Sequence, residues 1–177
     1  MLSKEILRNK FSLIRKKRYF EVRENFFSPI LKMIKKNNLR NIACYYPSNY
    51  ELSTLKLLKL LNRNKKTSTL LPCISNGSIK FVKWNLQEPL KVNKFGFLEP
   101  IQVSKTSKPD LIVAPLLAFD KSKNRLGYGK GYYDKFLKKN KKTITVGIAF
   151  SFQQYNKIKT SNYDVKLNYI LTDKGIF

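Results

Sequence analysis

Apolar residues along this chain switch between two spacings, and the switches mark out the elements. Ile6, Leu7, Phe11, Leu13, Ile14 and Phe20 recur among cations at roughly helical intervals, which predicts a basic amphipathic helix from Ser3 to about Arg23. Ser28-Pro29 then supplies an N-cap and a proline at the first helical position, ahead of the apolar face Ile30, Leu31, Met33 and Ile34 of a second helix. The run Ile42 to Pro47 is short, apolar and ended by proline, so it predicts a buried strand. Behind it, Leu52, Leu55, Leu57, Leu58, Leu60 and Leu61 predict a leucine-rich helix with Glu51 at the join, where a helix dipole stabilises a carboxylate by about 0.3–1 kcal/mol. Thr67 to Pro72 reads as another strand, and Ile79 to Trp84 alternates as a strand does after the hairpin signal Asn76-Gly77. Pro109 to Pro115 and Thr143 to Phe150 are further buried runs of strand length.

The pattern breaks between these last two runs. Asn124 to Asp134 holds three of the chain's seven glycines, Gly127, Gly129 and Gly131, with Arg125 before them, Lys130 among them and Asp134 just after. Alternate glycines are costly in a packed element, because each loses much backbone freedom and buries nothing. Tyr132, Tyr133, Phe136 and Leu137 resume helical spacing, so the expected order is strand, glycine loop, helix start. In that order the unpaired N–H groups of the first helical turn face the loop and the glycines let a phosphate approach. Arg125 adds a planar fork of donors and Lys130 a point charge. The stretch reads as a polyphosphate site in outline, or as a tight strand-to-helix turn with solvated charges. Its G-x-G-x-G spacing fits neither the dinucleotide fingerprint nor the P-loop.

Strands alternating with helices predict a three-layer α/β domain: a mainly parallel sheet with helices on both faces, Rossmann-like but without the dinucleotide fingerprint, and with a hairpin insertion near Trp84. Ligands in such folds bind beyond the carboxyl ends of the strands. With no internal repeat and no Gly/Ser/Pro-rich linker, residues 1–177 are expected to form one domain.

Charge complicates the picture. A net charge of +25 points to a nucleic-acid or acidic-membrane partner. Yet 29 of the 36 cations are Lys, spread from Lys4 to Lys174, beside plentiful Asn, Ile, Phe and Tyr, as A/T-rich codon usage would produce without selection for a partner. The chain has no histidine, which excludes Ser-His-Asp triads and histidine-bound zinc. Cys44 and Cys73 lack metal-ligand spacing and read as buried apolar residues in a reducing compartment. No signal-like or membrane-spanning run is present, so a soluble cytoplasmic protein is expected.

Ala114 to Asp120, followed by Arg125-Leu126-Gly127-Tyr128-Gly129-Lys130-Gly131-Tyr132-Tyr133-Asp134, resembles the signature of the 5-formyltetrahydrofolate cyclo-ligases. The resemblance covers nearly the whole chain and is strongest from Asp110 to Asp134. Lys4 and Arg8 stand at a matching Lys-x-x-x-Arg, and Phe95 to Pro100 is similar to a Phe-Gly-x-x-Glu-Pro element, expected to shape the pocket wall. Gln153 follows its strand as in the family, and Asp164 to Thr172 matches a terminal pattern in which Asn168 replaces a second acid and Tyr163 a common histidine.

The resemblance implies ATP- and Mg²⁺-dependent conversion of 5-formyltetrahydrofolate to 5,10-methenyltetrahydrofolate, ADP and phosphate by a monomer, with no membrane or specific nucleic-acid partner. It assigns ATP to Lys4, Arg8 and the stretch Arg125, Leu126, Gly127, Tyr128, Gly129, Lys130, Gly131, Tyr132 and Tyr133, with Arg125 and Lys130 the catalytic cations. The folate falls to Tyr46, Glu51 and the loop residues Tyr128 to Tyr132, and Mg²⁺ to Asp134 and Asp164. A carboxylate at Glu51 suits the fused ring, since it accepts paired N–H bonds from an amino-pyrimidinone edge. The competing classes are a basic nucleic-acid-binding protein and an ATP-dependent ligase or kinase with a different acceptor.

Overall fold

The computed structural model describes residues 2–101 and 106–177. In chain order its elements are α1 (Lys4–Arg18), a 3₁₀ turn, α2 (Ser28–Lys36), β1 (Asn41–Ala43), α3 (Leu55–Arg63), β2 (Ser68–Ser75), β3 (Ser78–Lys83), β4 (Leu90–Val92), β5 (Leu98–Pro100), β6 (Leu111–Ala114), β7 (Ala118–Phe119), β8 (Arg125–Leu126), α4 (Tyr132–Lys139), β9 (Ile144–Ile148), a second 3₁₀ turn, β10 (Tyr169–Thr172) and β11 (Gly175–Ile176). Seven strands form one sheet in the order β11-β10-β9-β6-β1-β2-β3, with β4/β5 and β7/β8 as separate two-stranded hairpins. The five central strands run parallel, and only the outermost pairs, β2/β3 and β10/β11, are antiparallel. Among the described residues, no helix is long and apolar enough to cross a membrane.

Alternation along the central strands decides which helix covers which face. On β6, Leu111 and Val113 join a core with Ile30 and Ile34 of α2 and Leu57, Leu58 and Leu61 of α3. Ile112 and Ala114 point the other way, into a core with Leu137 of α4, Leu167 and Ile170. The sheet is therefore sandwiched between helices, as the sequence pattern required. Gly147 on β9 permits close packing on the second face, because a Cβ there would lie 2.6 Å from Leu167 and 2.7 Å from Leu116. A third, smaller core seats Leu7 and Phe11 of α1 against Leu117, Ala118 and Leu126, so α1 rests on the β7/β8 hairpin rather than on the main sheet.

Several boundaries differ from the sequence reading for identifiable reasons. Helix α1 stops at Arg18, where Tyr19 turns extended to pack edge-on against Phe150. Ser28 is the first residue of α2 rather than its cap, because the 3₁₀ turn Glu24–Phe27 runs straight into the helix. Strand β1 ends at Ala43, with one more ladder bond from Cys44 N–H to Leu70, after which Tyr45 and Tyr46 leave the sheet. Helix α3 begins at Leu55, so Glu51 is not in its first turn and the dipole argument for it fails. Strand β2 runs past Pro72 to Ser75; β1 pairs only with Ser68 to Leu70, so Pro72 sits where its missing N–H faces no partner strand. The Asn76-Gly77 hairpin is present, with both residues at positive φ as a type I′ turn needs.

Candidate active site

Strand β1 has β2 on one side and β6 on the other, so the chain leaves β1 in one direction and returns to its far side. A crevice opens at such a reversal, outside the carboxyl ends of the strands. A cavity of about 430 Å³ lies there, bordered by Tyr45 and Tyr46 after β1 and by Pro115 after β6. Every residue expected at the site from the sequence lines it, from Lys4 through Glu51 to Asp164.

The glycine loop reaches this cavity by a longer route than the sequence suggested. Between β6 and the loop the chain forms the β7/β8 hairpin, so the loop follows β8 and not a strand of the main sheet. Buried Asp120 builds the hairpin turn by accepting the N–H groups of Ser122, Asn124 and Ile158. Beyond β8, Gly129 (φ 95°) and Gly131 (φ 68°) adopt left-handed backbone, while Gly127 does not. Gly131 caps α4 without any side-chain bond, leaving the first-turn N–H groups uncapped beside the loop.

Helix α1 supplies the cations that close the loop from above. Lys4, Arg8 and Arg15 lie on one helix face at spacings of four and seven. Arg8 Nε donates to the Gly127 carbonyl at 3.0 Å, and its guanidinium lies over Gly129, where a Cβ would meet Cζ at 3.0 Å. Lys4 Nζ bonds both carboxylate oxygens of Asp164, at 2.8 and 2.7 Å. Burial works against ionising Asp164, yet the Lys4 ammonium and the N–H and O–H of Ser161 hold its carboxyl below the ordinary value.

The two cations expected on the phosphates have different surroundings. The Arg125 side chain is only 5% exposed: its Nη2 lies 2.9 Å from Asp134 Oδ1, and its Nη1 donates to the Val165 carbonyl at 2.9 Å. The Val165 N–H donates back to Asp134 Oδ1, tying α4 to the terminal segment. Lys130 is exposed at the cavity rim, its ammonium 5.2 Å from the centre of the Phe95 ring. Asp134 Oδ2 accepts no hydrogen bond among the described residues, whereas both oxygens of Asp164 are engaged by Lys4.

Glu51 occupies the opposite wall, 5% exposed, on a turn in which Asn49 and Tyr50 have φ of 48° and 58°. Its Oε2 accepts the Ser48 N–H at 2.9 Å, and its Oε1 accepts the Tyr128 phenol at 3.0 Å. Burial pushes the Glu51 carboxyl up, against the Ser48 N–H and the positive charge of Arg15, which pull it down. Burial and the nearby Glu51 charge likewise raise the Tyr128 phenol. Aromatic rings fill the rest of the wall. Phe97 lies 5.5 Å from Tyr128, Phe95 6.1 Å from Tyr132, and Tyr46 is edge-on to Trp84. Phe95 and Phe97 sit on the β4/β5 hairpin, which buried Glu99 fastens to β2 by accepting the Ile74 N–H.

Arg15 escaped the sequence reading. It is 1% exposed and lies four positions after Phe11 and eight after Leu7, on the apolar stripe of α1, so a cation at a core position was the available signal.

The arrangement brings a glycine loop with uncapped helix N–H groups, several cations and a buried carboxylate together around one cavity lined by aromatic rings. Comparison with known proteins agrees. Residues 2–173 match the family model of the 5-formyltetrahydrofolate cyclo-ligase family. The 5-formyltetrahydrofolate cyclo-ligase of Haemophilus influenzae is 37% identical over 150 residues, covering 80% of each chain. That of Mycoplasma genitalium is 32% identical over 141 residues, 78% of this chain and 76% of its own. Among solved structures, the 5,10-methenyltetrahydrofolate synthetase of Aquifex aeolicus superposes with a TM-score of 0.79 at 28% identity, covering 98% of this chain and 91% of its own. This chain belongs to the 5-formyltetrahydrofolate cyclo-ligase family.

Proposed function

We propose that this chain converts 5-formyltetrahydrofolate and ATP into 5,10-methenyltetrahydrofolate, ADP and phosphate. The observation that carries the reading is the shared cavity: the phosphate-type loop Gly127 to Gly131 and the buried acceptor Glu51 border the same space and touch through Tyr128. A formamide oxygen is a poor leaving group. Transfer of the γ-phosphoryl group to that oxygen, with ADP leaving, gives an iminium phosphate; attack by N10 on the same carbon closes the ring and expels phosphate, and N10 gives up its proton. Such phosphoryl transfer depends on positioning and charge neutralisation, for which no histidine is needed.

Within this reading Arg8, Lys130 and the loop N–H groups hold the phosphates, Arg125 fixes Asp134 in place, and Lys4 stands ready beside them. Glu51 accepts N–H bonds from the pterin edge while Tyr46, Phe95, Phe97 and Tyr132 flank the ring. Magnesium takes one or two carboxylates plus phosphate oxygens and water. The open Oδ2 of Asp134 suits it; Asp164 joins only by releasing Lys4, whose ammonium is then available to a phosphate oxygen. The ion would supply neutralisation of the developing phosphate charge. Residues 1–177 act as one domain and as a monomer in a reducing cytoplasm, consistent with two buried free cysteines.

The test is direct: purified protein, MgATP and 5-formyltetrahydrofolate, followed by the absorbance of the methenyl product. Product formation dependent on all three supports the reading. ATP hydrolysis without methenyl product would transfer the site to another acceptor, and salt-sensitive RNA binding without turnover would replace it.

A further inference from the structure

The Tyr128 to Glu51 contact has a buried third member, Arg15, which does not line the cavity. Its Nη2 donates to the Tyr128 phenol oxygen at 2.7 Å and to the Asn49 carbonyl at 2.6 Å, and its Nη1 donates to the Leu116 carbonyl at 3.3 Å. Its Nε is the one buried side-chain nitrogen or oxygen without a hydrogen-bond partner among the described residues. A desolvated guanidinium with one donor unmatched is expensive to keep at a helix position that Leu or Met would fill well. Its placement therefore calls for a reason other than stability.

The donor inventory supplies one. A guanidinium has no acceptor, so the Tyr128 oxygen must accept from Arg15. The single phenolic proton is then directed to Glu51 Oε1, and the Ser48 N–H occupies Glu51 Oε2. Both oxygens of Glu51 are thereby engaged as acceptors, and the positive charge of Arg15 favours the ionised carboxylate against the burial that opposes it. The same guanidinium holds the Asn49 carbonyl, in the turn whose two left-handed residues carry Glu51. Such backbone persists only where its surroundings hold it.

We infer that Arg15 is a positioning residue for the folate half of the reaction: acting through Tyr128 and the Asn49 turn, it keeps Glu51 placed and ionised as an acceptor for the substrate's ring N–H groups. This rests on the proposed folate role of Glu51. The groups facing Glu51 are Arg15 from α1, Tyr128 from the glycine loop, Ser48 from its own turn, and Tyr45 and Tyr133, whose own titrations feel its charge. Arg15 is the one permanent cation among them. Removing it raises the pH at which Glu51 ionises, so the acid limb of folate binding moves to higher pH.

The experiment measures Arg15→Met, Arg15→Lys, Tyr128→Phe, Glu51→Gln and the double variant Arg15→Met/Glu51→Gln for KM toward each substrate, for the pH dependence of kcat/KM, and for thermal midpoint. Loss of a bond to a charged group is expected to raise the folate KM of Arg15→Met about tenfold or more while the ATP KM stays within about twofold. Its acid limb moves up in pH, Arg15→Lys recovers part of the loss, and the double variant is no worse than Glu51→Gln alone. Equal increases in both KM values, an unmoved acid limb, or additive losses in the double variant would reduce Arg15 to a scaffold for α1 and overturn the inference. Should Arg15→Met fail to fold, Tyr128→Phe cuts the same link, and a wild-type folate KM and acid limb there would also overturn it. The folate assignment fails separately, if Glu51→Gln leaves the folate KM unchanged while Arg15 and Glu51 still couple non-additively.

Discussion

Replacing single glycines by alanine in the loop separates backbone geometry from ligand access. Gly129 has φ 95°, where an L side chain is strained by about 1–2 kcal/mol. Its Cβ would also meet the Arg8 guanidinium at 3.0 to 3.3 Å, so Arg8 must shift from the loop it covers. Gly127 has ordinary φ and nothing within 4 Å of the place its methyl group would take, so Gly127→Ala has no comparable strain. For a chain of this length, about 1–2 kcal/mol corresponds to a fall in melting temperature of roughly 2–8 °C. Gly129→Ala is therefore expected to melt several degrees below wild type and to show a raised ATP KM, because Arg8 leaves the Gly127 carbonyl. Gly127→Ala is expected to melt with the wild type yet bind ATP more weakly, since its methyl group enters the cavity. Thermal melts without ligand and initial rates at varied ATP read both effects. Equal melting of the two variants, or a destabilised Gly127→Ala beside an unperturbed Gly129→Ala, would refute the reasoning.

Asp134→Ala leaves the buried Arg125 side chain without its counter-ion and is expected to cost about 2–4 kcal/mol in urea melts, whereas Asp134→Asn keeps an acceptor for the Val165 N–H and costs less; both should lose nearly all turnover, and full activity of either at saturating Mg²⁺ would remove Asp134 from the site. Phe97→Ala removes a ring beside Tyr128 and should raise the folate KM by about tenfold while sparing the ATP KM, measured by initial rates. With a net charge of +25, kcat/KM for ATP should fall steeply as KCl rises from about 50 to about 300 mM, and a flat salt profile would show that the charge does not steer the anion.

The layers of the fold were legible because they rest on periodicity: Leu57, Leu58 and Leu61 bury as their spacing requires, and β6 alternates between two cores. Glycines 127, 129 and 131 marked the loop through cost alone. Tertiary events were not legible. The β7/β8 hairpin is only two residues deep on each side, too short for any alternation to register, and depends on Asp120 gathering N–H groups from residues as distant as Ile158. The Glu51 turn has the sequence of a helix start because leucines follow it, but Asn49 and Tyr50 take left-handed backbone that no local pattern announces. Arg15 was hidden by its neighbours, since one buried cation among so many exposed ones carries no compositional mark.

The borders of the main sheet bear on how copies of this protein meet one another. An open strand edge is a template onto which another chain can add. At one border the outermost strand, β3, presents Lys80 and Lys83 to solvent, and its Phe81 carbonyl and Val82 are already engaged by Ser107 and Thr106. At the other border β11 spans only Gly175 and Ile176. Among the described residues, the longer of the two border strands is thus partly covered and carries two exposed lysines, and the other is very short, both features that discourage pairing with another chain. Part of the chain's excess of positive charge thus stands where it discourages aggregation, a use for it that requires neither nucleotide nor nucleic acid.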